Sequence, residues 1–460
     1  MTGRPPPTLT YADAVAALAD RGRFGIRLGL GRVRALLHEL GDPQLRVRGA
    51  LVAGTNGKGS VIALAGSALR AAGIHVAETP KPHLVSYRER LVVDGRPIGE
   101  ATFARLVATV LPIADRVARR HGDPTEFELL TAVMFAWFGE IGVELALVEV
   151  GLGGRLDATN AWDGGVAVLT NVGLDHMDRL GSTVEAIARE KVAIVKRGDV
   201  AVTGADGSAL AILRRRCRRL GVPLTVAAAP PVLDVDRNGI VAPIGALGPT
   251  RIGLRGRHQA ANAAVADALL DALDAAGLAS VAPDARRRGY ESATWPGRLE
   301  LLRVRGRDVL LDGAHNPAGA AALAVALDDL RPYLDGGDRT PPAPVTLVWA
   351  SMADKDVDGA IRAVTSAAAT RGARVIATSL PLERALPAET LAEQWTSIAP
   401  DVHVVAEPDP DRALEMAVDG TGPVVVAGSL YLVGHVRGWL VPETDVPAAV
   451  ARDATTASRG

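Results

Sequence analysis

Gly54-Thr55-Asn56-Gly57-Lys58-Gly59-Ser60 follows the apolar run Leu51-Val52-Ala53 and precedes an apolar-periodic stretch, Val61 to Ala72, closed by Gly73. The order is strand, glycine-rich turn, helix. Such a turn lets consecutive backbone N–H groups and the positive end of a helix dipole converge on phosphate oxygens. Lys58 adds a point charge for the distal phosphates, and Ser60 a hydroxyl able to hold magnesium. The match to the common phosphate-loop pattern is imperfect: Val52 stands at its first glycine, and Gly59 separates Lys58 from Ser60. A tight turn with an exposed lysine is the plainer alternative, but the flanking strand and helix favour a nucleotide triphosphate site.

A chain of 460 residues is too long for one compact core, so two domains are expected. Hydrophobic residues make up 48% but aromatics only 3%, which leaves Ala, Val and Leu to fill the core. Lys+Arg 51 against Asp+Glu 52 gives a net charge of -1 and argues against nucleic acid or an acidic membrane surface as main partner. The single cysteine, Cys217, excludes an internal disulfide and fits a reducing cytosol. It sits in Arg214-Arg215-Arg216-Cys217-Arg218-Arg219, where helical spacing spreads the arginines into a solvated face rather than an anion site. No signal segment opens the chain and no apolar run approaches the ~20 residues that span a bilayer. The expected place is the cytoplasm.

Short apolar strands alternate with helical stretches from about 10 to 300, the signature of a parallel sheet covered by helices. Strands are expected at 48–53, 74–78, 143–150, 165–171 and 199–203, with helices at 60–72, 100–120, 125–140, 183–196 and 207–220. Residues 223–257 read as an antiparallel excursion, followed by an Ala/Leu helix over 258–276. The pattern restarts as a smaller α/β unit with strands at 299–304, 308–312, 344–349, 373–378, 402–405 and 422–427. Helices are expected there at 316–330, 357–370, 388–398 and 410–418. Pro and Gly in Thr294-Trp295-Pro296-Gly297 set the boundary, giving domains at 10–296 and 297–440 between disordered ends at 1–9 and 441–460.

Polar residues gather where strands end, which is where open α/β sheets bind ligands. Glu149 closes a buried strand just before Gly151-Leu152-Gly153-Gly154 and would complete a magnesium site with Ser60; a pairing with Arg155 is the structural alternative. His176 lies between Asp175 and Asp178 and reads as a cation ligand or a hydrogen-bonding residue. Lys191, by spacing alone, reads as solvated. Asp312 and His315 sit at a strand-to-helix junction in the second unit, and Arg298 offers a guanidinium suited to phosphate.

GTNGKGS, PHLVSYRERL, LVEVGLGGRLDATN, LDHMDRLG, REKVAIVK, GRHQAANA, WPGR, LDGAHNP and GSLYLVGHVR occur in that order, over about residues 10 to 440. Together they resemble the folylpolyglutamate synthase/dihydrofolate synthase branch of the Mur ligase family. The resemblance implies an N-terminal P-loop ATPase domain with a mostly parallel sheet and a smaller C-terminal Rossmann-like α/β domain. It implies ATP-dependent addition of L-glutamate to dihydropteroate or a reduced folate through an acyl phosphate, by a monomer. Gly54, Thr55, Asn56, Gly57, Lys58 and Gly59 would cradle the phosphates, with Ser60 and Glu149 on a first magnesium ion and Glu149 and His176 on a second. Lys191 matches a lysine that is carbamylated in this family. Asn262 and Arg298 match nucleotide-binding positions, Asp312 and His315 the motif facing the phosphates, and Ser429 a position near the incoming glutamate. His83, Asp157 and Phe127, the last within Thr125-Glu126-Phe127-Glu128, go with the acid substrate.

One departure stands out. The family has Ser-Pro-His where this chain has Lys81-Pro82-His83. A protonated lysine cannot ligate a cation, though its charge stands in for part of one. The change therefore also admits a specialised ligase acting on a different acid. A P-loop small-molecule kinase is more remote, since it leaves Asp312, His315 and the second unit without a role.

Overall fold

The computed structural model describes residues 9–22 and 27–441. The expected disorder over 1–8 and 442–460 lies outside the described residues. The chain divides into two units: one runs to Pro230 and adds Ile244–Leu247 and Ala261–Tyr290, and the other holds Pro231–Pro243, Gly248–Ala260 and everything from Glu291.

The first unit is built on β1 (Gly49–Ala53), β2 (Val76–Thr79), β3 (Val92–Val93), β4 (Arg96–Pro97), β5 (Leu145–Glu149), β6 (Gly165–Leu169), β7 (Val200–Thr203) and β8 (Leu224–Val226). They form one sheet in the order β4-β3-β2-β5-β1-β6-β7-β8, parallel from β2 to β8 with β3 and β4 antiparallel at one edge. Every residue of β1, β5 and β6 is buried, which is why these strands read as unbroken apolar runs. β1 lies between β5 and β6, with Val52 opposite Glu149 and Ala53 opposite Leu169. The loops after β5, β1 and β6 therefore emerge side by side. Glu78 of β2, itself buried, ties down the helix Lys58–Ala71 through an ion pair with Arg70.

In the second unit, β12 (Glu300–Val304), β13 (Arg307–Leu311), β14 (Thr346–Trp349), β15 (Arg374–Ala377), β16 (His403–Ala406) and β17 (Val424–Ala427) follow three earlier strands, β9 (Asp234–Asp236), β10 (Gly239–Ile244) and β11 (Gly248–Ile252). The larger sheet has the order β12-β13-β17-β14-β15-β16, parallel apart from β12. Apart from residues 244–247, β9 to β11 belong to this unit although they precede residue 296. Arg237, in the β9–β10 turn, makes a two-point contact with Asp308 of β13 at 2.6 and 2.8 Å, and Arg255 donates to the Leu299 carbonyl at 3.2 Å.

The element positions follow the sequence reading with a few differences. Within 223–257 only β9 to β11 form the small separate sheet; Leu224–Val226 extends the first sheet in parallel as β8. The helix expected over 357–370 ends at Val364, where Thr365 and Ser366 turn their hydroxyls back onto carbonyls of the last turn. Helices Tyr11–Gly22, Gly31–Glu39, Met177–Leu180, Pro283–Ser292 and Leu430–Leu440 complete the described α-helices and had no counterpart in the sequence reading.

Candidate active site

Gly57 caps the helix Lys58–Ala71 with φ 81 and, lacking a side chain, places no capping oxygen of its own on the first-turn N–H groups. The turn is bolted to the loop after β6: Thr170 Oγ1 donates to the Asn56 carbonyl at 2.6 Å, and the Asn56 N–H donates to Asn171 Oδ1 at 2.9 Å. A Cβ on Gly54 would lie 1.9 Å from Thr170 Oγ1, and one on Gly57 would lie 2.3 Å from Asn262 Oδ1. Asn262 is buried and packs against the loop. Lys58 curls inward, its ammonium donating to the carbonyls of Gly54 and Thr55 at 3.2 and 3.1 Å and standing 3.8 Å from Glu149 Oε1.

Gly54, Lys58, Gly151, Asp175, His176 and Lys191 line one pocket at this end of the sheet. Lys191 corrects the spacing-based reading of a solvated residue: it is 6% exposed, and its ammonium donates to the Gly54 carbonyl at 2.9 Å. Burial, then the charge of Lys58, brings its pKa down to about 7 against the pull of Asp175 and Asp157. His176 adopts φ 50, half-exposed, with Nε2 3.8 Å from Asp175 Oδ2. Ser60 is buried in the first turns of the helix. Among the described residues, no group of three or more His, Cys, Asp or Glu side chains is placed to hold a metal ion.

Glu149 is 3% exposed at the end of β5. Arg155, its possible partner in the sequence reading, instead pairs with Glu190 at 3.0 Å. The Lys81 N–H donates to Glu149 Oε2 at 2.9 Å and the Lys81 ammonium to the Glu149 carbonyl at 2.5 Å. That ammonium lies 4.5 Å from the centre of the Phe127 ring; burial lowers its pKa to about 8, opposed by Asp157 and Glu149. Phe127 in turn packs on Gly151, where a Cβ would meet its ring at 2.8 Å. Asp157 braces the same loop, accepting from the Leu152 N–H at 2.9 Å and the Thr159 N–H at 3.0 Å. Thr125 and Glu128, beside Phe127, form the capping box of the helix Glu126–Ile141, and Glu128 also holds Arg32 at 2.9 Å.

Next to this wall His83 meets two residues that the sequence reading left unassigned, Arg90 and Tyr87. Arg90 Nε donates to His83 Nδ1 at 2.8 Å, and the His83 ring stacks on Tyr87 at 4.4 Å. Tyr87 donates to Glu126 at 2.9 Å. Burial, aided by Arg90, drops the His83 pKa to about 4, so the imidazole is neutral and its Nε2 carries the hydrogen. Arg90 and Tyr87 belong to PHLVSYRERL; the charged residues of that string were the available signal.

In the second unit, the Asp312 carboxylate accepts from the N–H groups of Leu299 and Ala314, both at 2.9 Å. Arg298 packs on Gly313, where a Cβ would lie 2.0 Å from Nη1. His315 Nδ1 donates to the Gly313 carbonyl at 2.8 Å, which turns Nε2 outward from that bond. His258, not singled out from the sequence, keeps an exposed side chain, and its pKa is lowered by partial desolvation against the pull of Asp312. Ser429 is 2% exposed and caps the helix Leu430–Leu440, accepting from the Tyr431 N–H at 3.2 Å.

The family described as Mur ligase middle domain matches residues 52–270, and the one described as dihydrofolate synthetase, C-terminal domain, matches 298–439. A dihydrofolate synthase/folylpolyglutamate synthase of Bacillus subtilis (strain 168) is 32% identical over 450 residues, spanning 93% of this chain and 98% of that protein. The chain belongs to the folylpolyglutamate and dihydrofolate synthase branch of the Mur ligase family. Its α/β architecture agrees with two solved members. The Mycobacterium tuberculosis folylpolyglutamate synthase complexed with ADP and AMPPCP has a TM-score of 0.80 at 31% identity, over 94% of this chain and 100% of that one. The E. coli FolC complex with DHPP and ADP has a TM-score of 0.78 at 29% identity, over 94% and 99%. The chain is thus a ligase by descent.

Proposed function

We propose that this ligase joins L-glutamate to the carboxyl group of dihydropteroate or a reduced folate, with ATP converted to ADP and phosphate. The observation that carries the reading is the uncapped N-terminus of the helix Lys58–Ala71, opening on a pocket that also holds Lys58 and Lys191. ADP or AMPPCP in the two solved relatives, and DHPP in one of them, support it.

Amides of residues 54–59 and the Lys58 ammonium receive the distal phosphates. The acid's carboxylate attacks the γ-phosphorus, the bond to the β–γ bridging oxygen breaks, and ADP leaves. The acyl phosphate then meets the α-amine of glutamate; the C–N bond forms, phosphate departs and the amine gives up a proton. Arg298, Asp312 and His315 are the nucleotide-directed residues proposed in the second unit. Lys81, His83, Phe127 and Asp157 shape the acid's seat. Ser429 contributes by fixing the start of its helix.

Magnesium, when bound, neutralises triphosphate charge and polarises the γ-phosphoryl group. The donor set fits one such ion: Glu149 is a buried carboxylate at a strand end beside the phosphate loop, and Ser60 lies in that loop's helix. Carbamylation of Lys191 relieves a charge conflict, because Lys58 and Lys191 direct two ammonium groups at one carbonyl, that of Gly54. A neutral Lys191 Nζ adds to carbon dioxide, the N–C bond forms, one proton leaves, and a cation becomes an anion facing Lys58. The working form is a cytoplasmic monomer, the compartment supported by the single cysteine and the monomer by the family resemblance.

Acid substrate labelled with heavy oxygen in its carboxyl group tests the chemistry. Turnover should deliver one labelled oxygen to the released phosphate. Unlabelled phosphate alongside glutamylated product would exclude the acyl phosphate.

A further inference from the structure

Lys81 is held in a way that the phosphate-loop chemistry does not require. Its N–H occupies Glu149 Oε2 at 2.9 Å, its ammonium donates to the Glu149 carbonyl at 2.5 Å, and the same ammonium lies over the Phe127 ring at 4.5 Å. The hydrogen bond and the cation–π contact come from different elements and together fix a positive charge at the carboxyl end of β5. The other Glu149 oxygen, Oε1, faces Lys58 at 3.8 Å. A carboxylate shared between two divalent ions must serve both, yet here one oxygen already takes an N–H and an ammonium stands beside the residue. A second divalent ion at Glu149 would meet that fixed like charge where little water screens it.

We propose that the Lys81 ammonium is a resident cation in place of a second divalent ion, so that the enzyme works with a single magnesium ion per nucleotide. The inference rests on the ligase reading and deepens it. Lys81 supplies one fixed charge toward the meeting of carboxylate and triphosphate. Unlike a dissociable ion, it is present before either substrate binds. Holding Phe127 in place is a purely structural role that would leave the metal count untouched.

Manganese binding to the full-length chain with AMPPCP, counted by electron paramagnetic resonance, tests the proposal directly. The parent should bind one ion per chain and Lys81→Ser two. With ATP, glutamate and dihydropteroate, parent turnover should be indifferent to magnesium beyond that bound to ATP. Lys81→Ser should fall about a hundredfold there and recover with excess magnesium. Two ions in the parent, or one ion in both proteins, overturns the proposal. If Lys81→Ser does not fold, the parent decides alone: one ion with no response to excess magnesium upholds it, and two ions sink it. Failure of the parent to release ADP with any acid and glutamate would instead defeat the ligase reading.

Discussion

Lys58 and Lys191 donate to the same Gly54 carbonyl, so the charge state of one sets the environment of the other. Lys58→Ala should abolish ATP-dependent ADP release while leaving the thermal transition within a few degrees of the parent, because the side chain reaches only loop carbonyls and the edge of Glu149. Retained turnover would exclude the phosphate-loop assignment. Lys191→Ala should lose most activity and regain part of it with a short carboxylate such as acetate. The pH dependence has a definite sign. With the Lys191 pKa lowered to about 7, the amine that reacts with carbon dioxide is abundant above that value and scarce below it. At equal dissolved carbon dioxide, enzyme stripped of it should therefore regain activity faster at pH 8 than at pH 6; equal rates would exclude carbamylation of Lys191. The burial that causes this shift could not be read from Ala-Arg-Glu-Lys-Val-Ala, since helical spacing gives no sign of a loop pressed against the helix. Gly154 supplies that contact: a Cβ there would lie 2.9 Å from the Lys191 carbonyl.

Among elements, the strand–turn–helix at 49–71 was legible because its signals are local: an apolar strand, two glycines with positive φ, and an apolar helix. Gly54→Ala should lower stability by about 1–3 kcal/mol, since the new methyl group would fall on Thr170 Oγ1 and the φ of 153 is one that L-residues avoid. Chemical denaturation measures it, and an unchanged midpoint would mean that the turn relaxes freely. Other elements escaped the sequence reading for stated reasons. Tyr11–Gly22 is rich in alanine and buries only Ala14 and Leu18. Pro283–Ser292 carries three arginines and Gly289 and looks like a loop; yet that glycine permits close packing, with a Cβ there only 2.3 Å from Ala68 Cα. Glu128, which the family resemblance grouped with substrate-cradling residues, is a helix cap, a dual use that a motif string conceals.

For the molecule as a whole, one buried charge is among the contacts that join the second unit's strands from before residue 296 to the rest of that unit. Asp308 is 1% exposed and accepts from Arg237 and Arg303, the latter at 2.9 Å. Both arginines keep over a third of their side-chain surface in water. Asp308→Ala should thus cost about 2 kcal/mol, below the range for fully buried pairs. Calorimetry should show a lowered transition; no shift would mean that β9 to β11 are held by other contacts. Long-range pairing of this kind has no local pattern, so the two-unit plan was readable while the ownership of these strands was not. The site was legible in the same graded way. Strand-end residues stood out, while His258, Arg90 and Tyr87 needed the fold to bring them beside their partners.

Glutamate ligation by this chain is checked by following product formation with the purified protein. ATP, magnesium and glutamate are supplied with dihydropteroate in one reaction and tetrahydrofolate in another, and ADP and the acid's mass are followed together. ADP release should require both acid and glutamate, with a product heavier by one glutamyl residue. ADP release that yields a stable phosphorylated acid without glutamate, or no turnover with either acid in protein that binds ATP, would contradict glutamate ligation.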